Sequence, residues 1–88
     1  MWVNILNISD FDIQDNRLYL YSKGKFTLAA IKIEQIKSIG MISSLRQVAV
    51  NTQAGILYLY TNDKYIDDKL GKRIIKEVEK YKESEKNK

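Results

Sequence analysis

The chain has no cysteine, no histidine and no proline. Without cysteine there are no disulfides and no thiol nucleophile. Without histidine there is no imidazole general base, and the loss of both removes the usual zinc sites. Nor is there an apolar run near the roughly 18 residues of a membrane span. The opening Met-Trp-Val-Asn-Ile-Leu-Asn lacks the basic region and small-residue cleavage site of a signal peptide, so a cytoplasmic protein is expected. Catalytic motifs are missing too. No Gly-x-Ser-x-Gly is present, and Leu70-Gly71-Lys72 lacks the upstream Gly and following Ser/Thr of a phosphate loop. The Asp67/Asp68 pair falls at a helix start, where capping accounts for it. An enzyme is therefore not expected, and no catalytic residue, cofactor or metal ligand is assigned.

What the chain does have is charge. Of its 88 residues 30% are charged, with a net +4. The sign is uneven: residues 1–22 carry three Asp and one Arg, residues 23–61 four Lys, one Arg and one Glu. A moderately basic middle and end follow, weaker than in a dedicated DNA-binding domain. Eighty-eight residues make one small domain with little core to spare. The expected division is a domain over 1–82 and a charged, frayed tail over 83–88.

Short alternating segments fill the first two thirds. Trp2 to Ile8 reads as a first strand. Asp10, Asp12 and Asp15 invite a calcium loop, but its glycine and bidentate glutamate positions hold Asp15 and Tyr21. The acids are assigned to a turn instead, pinned by Phe11 and Ile13 and closed by Asp15-Asn16. Arg17 to Ser22 puts Leu18 and Leu20 on one face, Tyr19 and Tyr21 on the other. Lys23-Gly24 reads as a hairpin turn in which glycine takes positive φ. From Lys25 to Ile33 the apolar phase slips at Ala29-Ala30, where a bulge is expected. Ile36 to Ile42, with a bend at Gly40, Arg46 to Thr52, with Val48 and Val50 inward, and Ile56 to Thr61 complete the set.

The last third supplies one amphipathic helix, expected from a cap at Asn62 or Asp63 to about Lys82. Ile66, Leu70, Ile74, Val78 and Tyr81 form its apolar stripe, with Ile75 at the border. Gly71 lies near this stripe and costs about 1 kcal/mol relative to Ala, unless it lets a strand come close. Lys69, Lys72, Arg73, Lys76 and Lys80 share the opposite face. Three of their i,i+4 pairs are like-charged, each destabilising by roughly 0.2–0.5 kcal/mol. Two readings follow: a solvated face in a lysine-rich chain, or a docking stripe for an anionic surface.

Six or seven strands followed by a helix define a mainly β, α+β chain. It is expected to be a strongly bent antiparallel sheet or small barrel capped by the helix. Ile31-Lys32-Ile33-Glu34-Gln35-Ile36-Lys37-Ser38-Ile39, the meander after it and the terminal helix resemble small bacterial pleckstrin-homology-like domains over residues 17–81. The resemblance is one of hydrophobic pattern. It implies a bent barrel plugged at one end by the helix and a role in binding proteins, peptides or lipids; no binding residue carries over.

Two strands repeat one pattern, Leu18-Tyr19-Leu20-Tyr21 and Leu57-Tyr58-Leu59-Tyr60. If they are neighbours, Tyr19, Tyr21, Tyr58 and Tyr60 make an outer aromatic patch. That patch would be a protein or self-association seam, a base-stacking platform with Lys23, Lys25 and Arg46 near it, or ordinary cross-strand pairing. The leading expectation is a non-catalytic protein-interaction module acting through the tyrosines or the basic stripe. Its size suits an accessory or inhibitor protein of a phage or mobile element. A nucleic-acid binder using the same residues is the alternative. Membrane binding is not expected, because no exposed apolar anchor accompanies the stripe.

Overall fold

A computed structural model describes residues 2–61 and 64–86, without the side chains of residues 85 and 86. Seven strands precede one helix: β1 (Trp2–Asn7), β2 (Asp10–Gln14), β3 (Arg17–Tyr21), β4 (Thr27–Lys32), β5 (Ile36–Ile42), β6 (Gln47–Thr52), β7 (Gly55–Tyr60) and α1 (Asp68–Lys86). A single 3-10 turn, Ile33–Gln35, separates β4 from β5. Sheet A has the order β1-β7-β6-β5, and sheet B the order β2-β3-β4. The mainly β, α+β architecture is therefore present, as two sheets that are not closed into one barrel. Pairing is antiparallel except at β1, which runs parallel to β7 with Trp2 beside Gly55 and Asn7 beside Tyr60.

The chain changes sheets at two corners. At the first, Ile8 N–H donates to the Tyr60 carbonyl in sheet A and Ser9 N–H to the Tyr21 carbonyl in sheet B, both at 2.8 Å. The second is the 3-10 turn. Ile33 N–H reaches Asn16 O at 2.9 Å in the β2–β3 turn, and Gln53 N–H reaches Gln35 O at 3.1 Å. The core lies between the sheets. Leu18 and Leu20, Val48 and Val50, and Leu57 and Leu59 point inward as their alternation requires, with Ile8, Ile33 and Ile36 sealing the corners.

Several local expectations are corrected. Asp10 and Asp12 sit on strand β2 rather than in a turn, because Phe11 and Ile13 alternate onto the core. Asp15 and Asn16 do form the tight turn, with φ of 51° and 65°. In the β3–β4 turn the left-handed residue is Lys25 (φ 65°), and no glycine has positive φ. The bulge in β4 falls at Leu28: Leu20 pairs with Ala29 and Tyr21 with Thr27. This leaves Ala29, Ile31 and Ile33 on one inward phase, with Phe26 and Leu28 exposed. A second shift, between Ile36 and Ser38, leaves Lys37 unpaired in β5.

The caps proposed at Asn62 and Asp63 lie outside the described residues. The helix itself starts at Asp68, where Asp67 Oδ2 accepts from Leu70 N–H at 3.1 Å in N-cap fashion. Thr61 fixes the approach by donating from its hydroxyl to Tyr65 O (3.2 Å) and accepting from Asp67 N–H (2.8 Å). Ile66, Leu70, Ile74 and Val78 are buried, with Tyr81 and Ile75 at the margin. The helix continues past Lys82 to Lys86, and the Lys82 ammonium donates to the Ile36 carbonyl.

Two glycines mark close approaches. A Cβ on Gly71 would meet Met41 Cε at 3.1 Å and Val48 Cγ2 at 3.3 Å, so this residue lets α1 settle on sheet A. A Cβ on Gly55 would collide with the Trp2 carbonyl and lie 2.9 Å from its ring Cε3. Gly71→Val is expected to lower stability by about 2 kcal/mol through overpacking, read as a lower denaturant midpoint. Gly55→Ala is expected to loosen β1, with a red shift in emission from Trp2, the chain's single tryptophan.

Candidate interaction surface

The tyrosine strands are not neighbours. β3 is the centre of sheet B and β7 lies inside sheet A, so the four tyrosines divide into two pairs. Tyr19 and Tyr21 stack with ring centroids 6.4 Å apart and planes 7° from parallel. Across β2, Tyr19 faces Asp12 and Tyr21 faces Asp10. Carboxylates beside those rings repel a phosphate backbone, which weakens the base-stacking use of this pair. Of the cations expected nearby, Lys23 and Lys25 flank the β3–β4 turn, whereas Arg46 stacks on Tyr65 at 4.4 Å and belongs to another region.

Tyr58 and Tyr60 have different surroundings. The registers of sheet A place twelve residues on its outer face: Val3, Ile5 and Asn7 on β1, Ile56, Tyr58 and Tyr60 on β7, Gln47, Ala49 and Asn51 on β6, and Ser38, Gly40 and Ile42 on β5. None is charged, in a chain with 30% charged residues; the exposed Lys37, unpaired between Ile36 and Ser38, stands only at the β5 margin. Val3 and Ile5 are 59% and 62% exposed. The helix covers only the inner face, through Leu70, Ile74 and Val78. The outer face is thus a contiguous uncharged surface with two aromatic rings and three Ile or Val side chains on its β1–β7 half. Surfaces of this kind mark association sites more often than solvated faces.

Val3, Ile5 and Ile56 were not singled out from sequence. A signal for them exists: the first nine residues carry no charge, and the first ionisable side chain is that of Asp10. A first strand buried on both faces would show the same run, so the run alone does not distinguish exposed from covered.

Lys69, Lys72, Arg73, Lys76 and Lys80 are all exposed, and they are not a uniform stripe. Lys69 and Arg73 border a depression shared with Asp10 and Asp67. The Arg73 guanidinium also lies 5.3 Å from the centroid of the Phe11 ring, which ties it to β2. Lys72, Lys76 and Lys80 share their surface with Glu79 and Glu83. A cleft of about 360 Å³ opens where the β2–β3 turn meets the end of α1. It mixes Arg17, Lys32 and Lys82 with Asp15 and Glu34, and so has no single charge preference.

The chain was compared with family models, curated proteins and solved structures, and it matches none of them.

Lys76 stands one turn from both Lys72 and Lys80. If the stripe is only solvated, Lys76→Glu replaces two repulsions by two attractions and is expected to raise stability by about 0.5 kcal/mol at low salt, fading as salt is added. Thermal melts at two ionic strengths read this directly.

Proposed function

We propose that the chain is a non-catalytic protein-interaction module of pleckstrin-homology-like architecture, acting in the cytoplasm as an accessory or inhibitor protein of a phage or mobile element. The order of elements supports the architecture. The chain passes from sheet A into sheet B at one corner and back into sheet A at the other, and the C-terminal helix touches both sheets, at β5 and at β2. The corners at Ile8-Ser9 and Ile33–Gln35, where the chain passes between the sheets, are compatible with such a domain. The observation that carries the function is the uncharged outer face of sheet A, which includes Tyr58 and Tyr60. A protein partner would cover it and exclude water from its apolar half, with the tyrosines as amphipathic anchors at the centre.

The nucleic-acid alternative draws support from the exposed cations of α1. It places binding on Lys72, Lys76 and Lys80, the basic side chains lying away from Asp10 and Asp67. The two proposals differ in salt response. Counterion release makes nucleic-acid affinity fall steeply with salt, whereas an apolar protein contact changes little.

Affinity capture with wild type, Tyr58→Asp and K72A/K76A/K80A, alongside DNA and RNA titrations at two salt concentrations, separates them. The protein-interaction proposal expects a partner retained by wild type and by the triple variant but lost from Tyr58→Asp. Salt-steep nucleic-acid binding, with a log–log slope that shrinks by up to about 3 in the triple variant, would replace it with the alternative.

A further inference from the structure

Sheets A and B have four edge strands among the described residues: β1 and β5, β2 and β4. Proteins usually block such edges, since unpaired N–H and C=O groups template association. Three of these are blocked. On β2, the N–H groups of Phe11 and Ile13 donate to Asp10 Oδ1 and Asp12 Oδ1, both at 2.8 Å, and are not free for an incoming strand. On β5, Lys37 bulges out of register and the Lys82 ammonium occupies the Ile36 carbonyl. β4 is bulged at Leu28 and ends on Lys32. By contrast, β1 has six residues with no charge, no proline and no register shift.

The hydrogen bonds of β1 show which groups are open. Trp2 N–H donates to Ala54 O and Ile8 N–H to Tyr60 O, so the even-numbered residues turn their polar groups toward β7. By strand alternation, the N–H and C=O of Val3 and Ile5 face the free edge. That edge has a limit. Asn7, Ile8 and Ser9 line a cleft with Ser22, Lys23 and Gly24, where the β3–β4 turn stands alongside the chain. The open stretch is therefore Trp2 to Leu6, and its centre is Asn4.

Building on the protein-interaction proposal, we infer that β1 pairs antiparallel with β1 of a second copy of this chain, about a two-fold axis through Asn4. A two-fold normal to the sheet keeps each face on its own side, so opposed residues must share parity. Centred on Asn4, Val3 opposes Ile5, Trp2 opposes Leu6, and Asn4 opposes its own copy. Apolar meets apolar on both faces, and amide meets amide at the axis. The Val3–Ile5 pairs are those with free backbone groups, so each exchanges two hydrogen bonds. No like charges meet, because β1 has none. An axis at Ile5 would instead oppose Asn4 to Leu6 and drive the partner strand into the β3–β4 turn. The two four-stranded sheets join into one, and the uncharged outer faces become continuous. One strand pair is smaller than the roughly 1,200 Å² at which standard interfaces begin, so the dimer is expected to dissociate in the micromolar range.

Sedimentation velocity over about 1 to 500 µM, a span chosen to bracket that range, tests this on wild type, V3K/I5K and V3K/I5E. Both positions are largely solvent-exposed, and circular dichroism and melting curves check that each variant is folded. Wild type is expected to dimerise with concentration. V3K/I5K, which sets like charges opposite each other in both pairs, is expected to stay monomeric. V3K/I5E sets opposite charges across the same pairs and is expected to recover the dimer, with a salt dependence wild type lacks. A wild type that is monomeric throughout overturns the inference, while partner capture by the Tyr58 face still judges the broader proposal separately. A dimer that survives V3K/I5K, or fails to return in V3K/I5E, also overturns it.

Discussion

Two consecutive backbone amides hold this molecule in its shape. Ile8 N–H goes to Tyr60 in sheet A and Ser9 N–H goes to Tyr21 in sheet B. An extended chain turns successive N–H groups to opposite sides, so a single strand crossing from one sheet to the other can serve both. The Ile8 side chain, almost wholly buried, fills the corner. Each net hydrogen bond is worth only about 1 kcal/mol, but leaving either carbonyl buried and unmatched costs more. Once the corner is set, the inner faces of the sheets oppose each other, and the leucines of β3 and the valines of β6 share one core. The helix then has one opening to cover, and Gly71 lets it settle there.

The same constraint decides what the outside looks like. With α1 committed to the inner side, sheet A keeps an uncovered outer face, and that face lacks charge across β1, β7 and β6, with Lys37 at the β5 margin. Sheet B, by contrast, carries Asp10 and Asp12 beside its tyrosines. Two identical Leu-Tyr-Leu-Tyr strings thus acquire different roles from their neighbours alone. One is an acid-flanked stack, and the other is part of an uncharged surface with an open edge.

Much of the fold was legible in the residues. Leu18 and Leu20, Val48 and Val50, and Leu57 and Leu59 point inward because period-two alternation is a local property that a sheet preserves. Leu70, Ile74 and Val78 line one side for the same reason at helical period, whereas Ile66 is buried from the segment that precedes the helix. What was not legible is nonlocal. Alternation says which way Tyr19 and Tyr58 point and nothing about whether their strands touch; that was set by a corner with no distinctive residue beyond Ile8. The helix start is similar. Aspartates and asparagines are competent caps by type, and the choice of Asp67 comes from the Thr61 hydroxyl, which holds the preceding backbone in place. In β2, acids that would normally mark a turn are tolerated in a strand because each carboxylate satisfies the next amide.

The parallel seat of β1 beside β7 has a consequence for how the protein is made. The two strands are far apart in sequence, since Trp2 waits for Gly55. Contacts of that span slow folding, because a long loop closes before anything is gained. At synthesis rates of about 5–20 residues per second, β1 leaves the ribosome several seconds before its partner exists. During that interval its uncharged backbone is open on both sides rather than one. A nascent chain thus passes through a phase in which its first strand has no intramolecular home, and crowding on a polysome would act on that phase before the finished molecule had an edge to present.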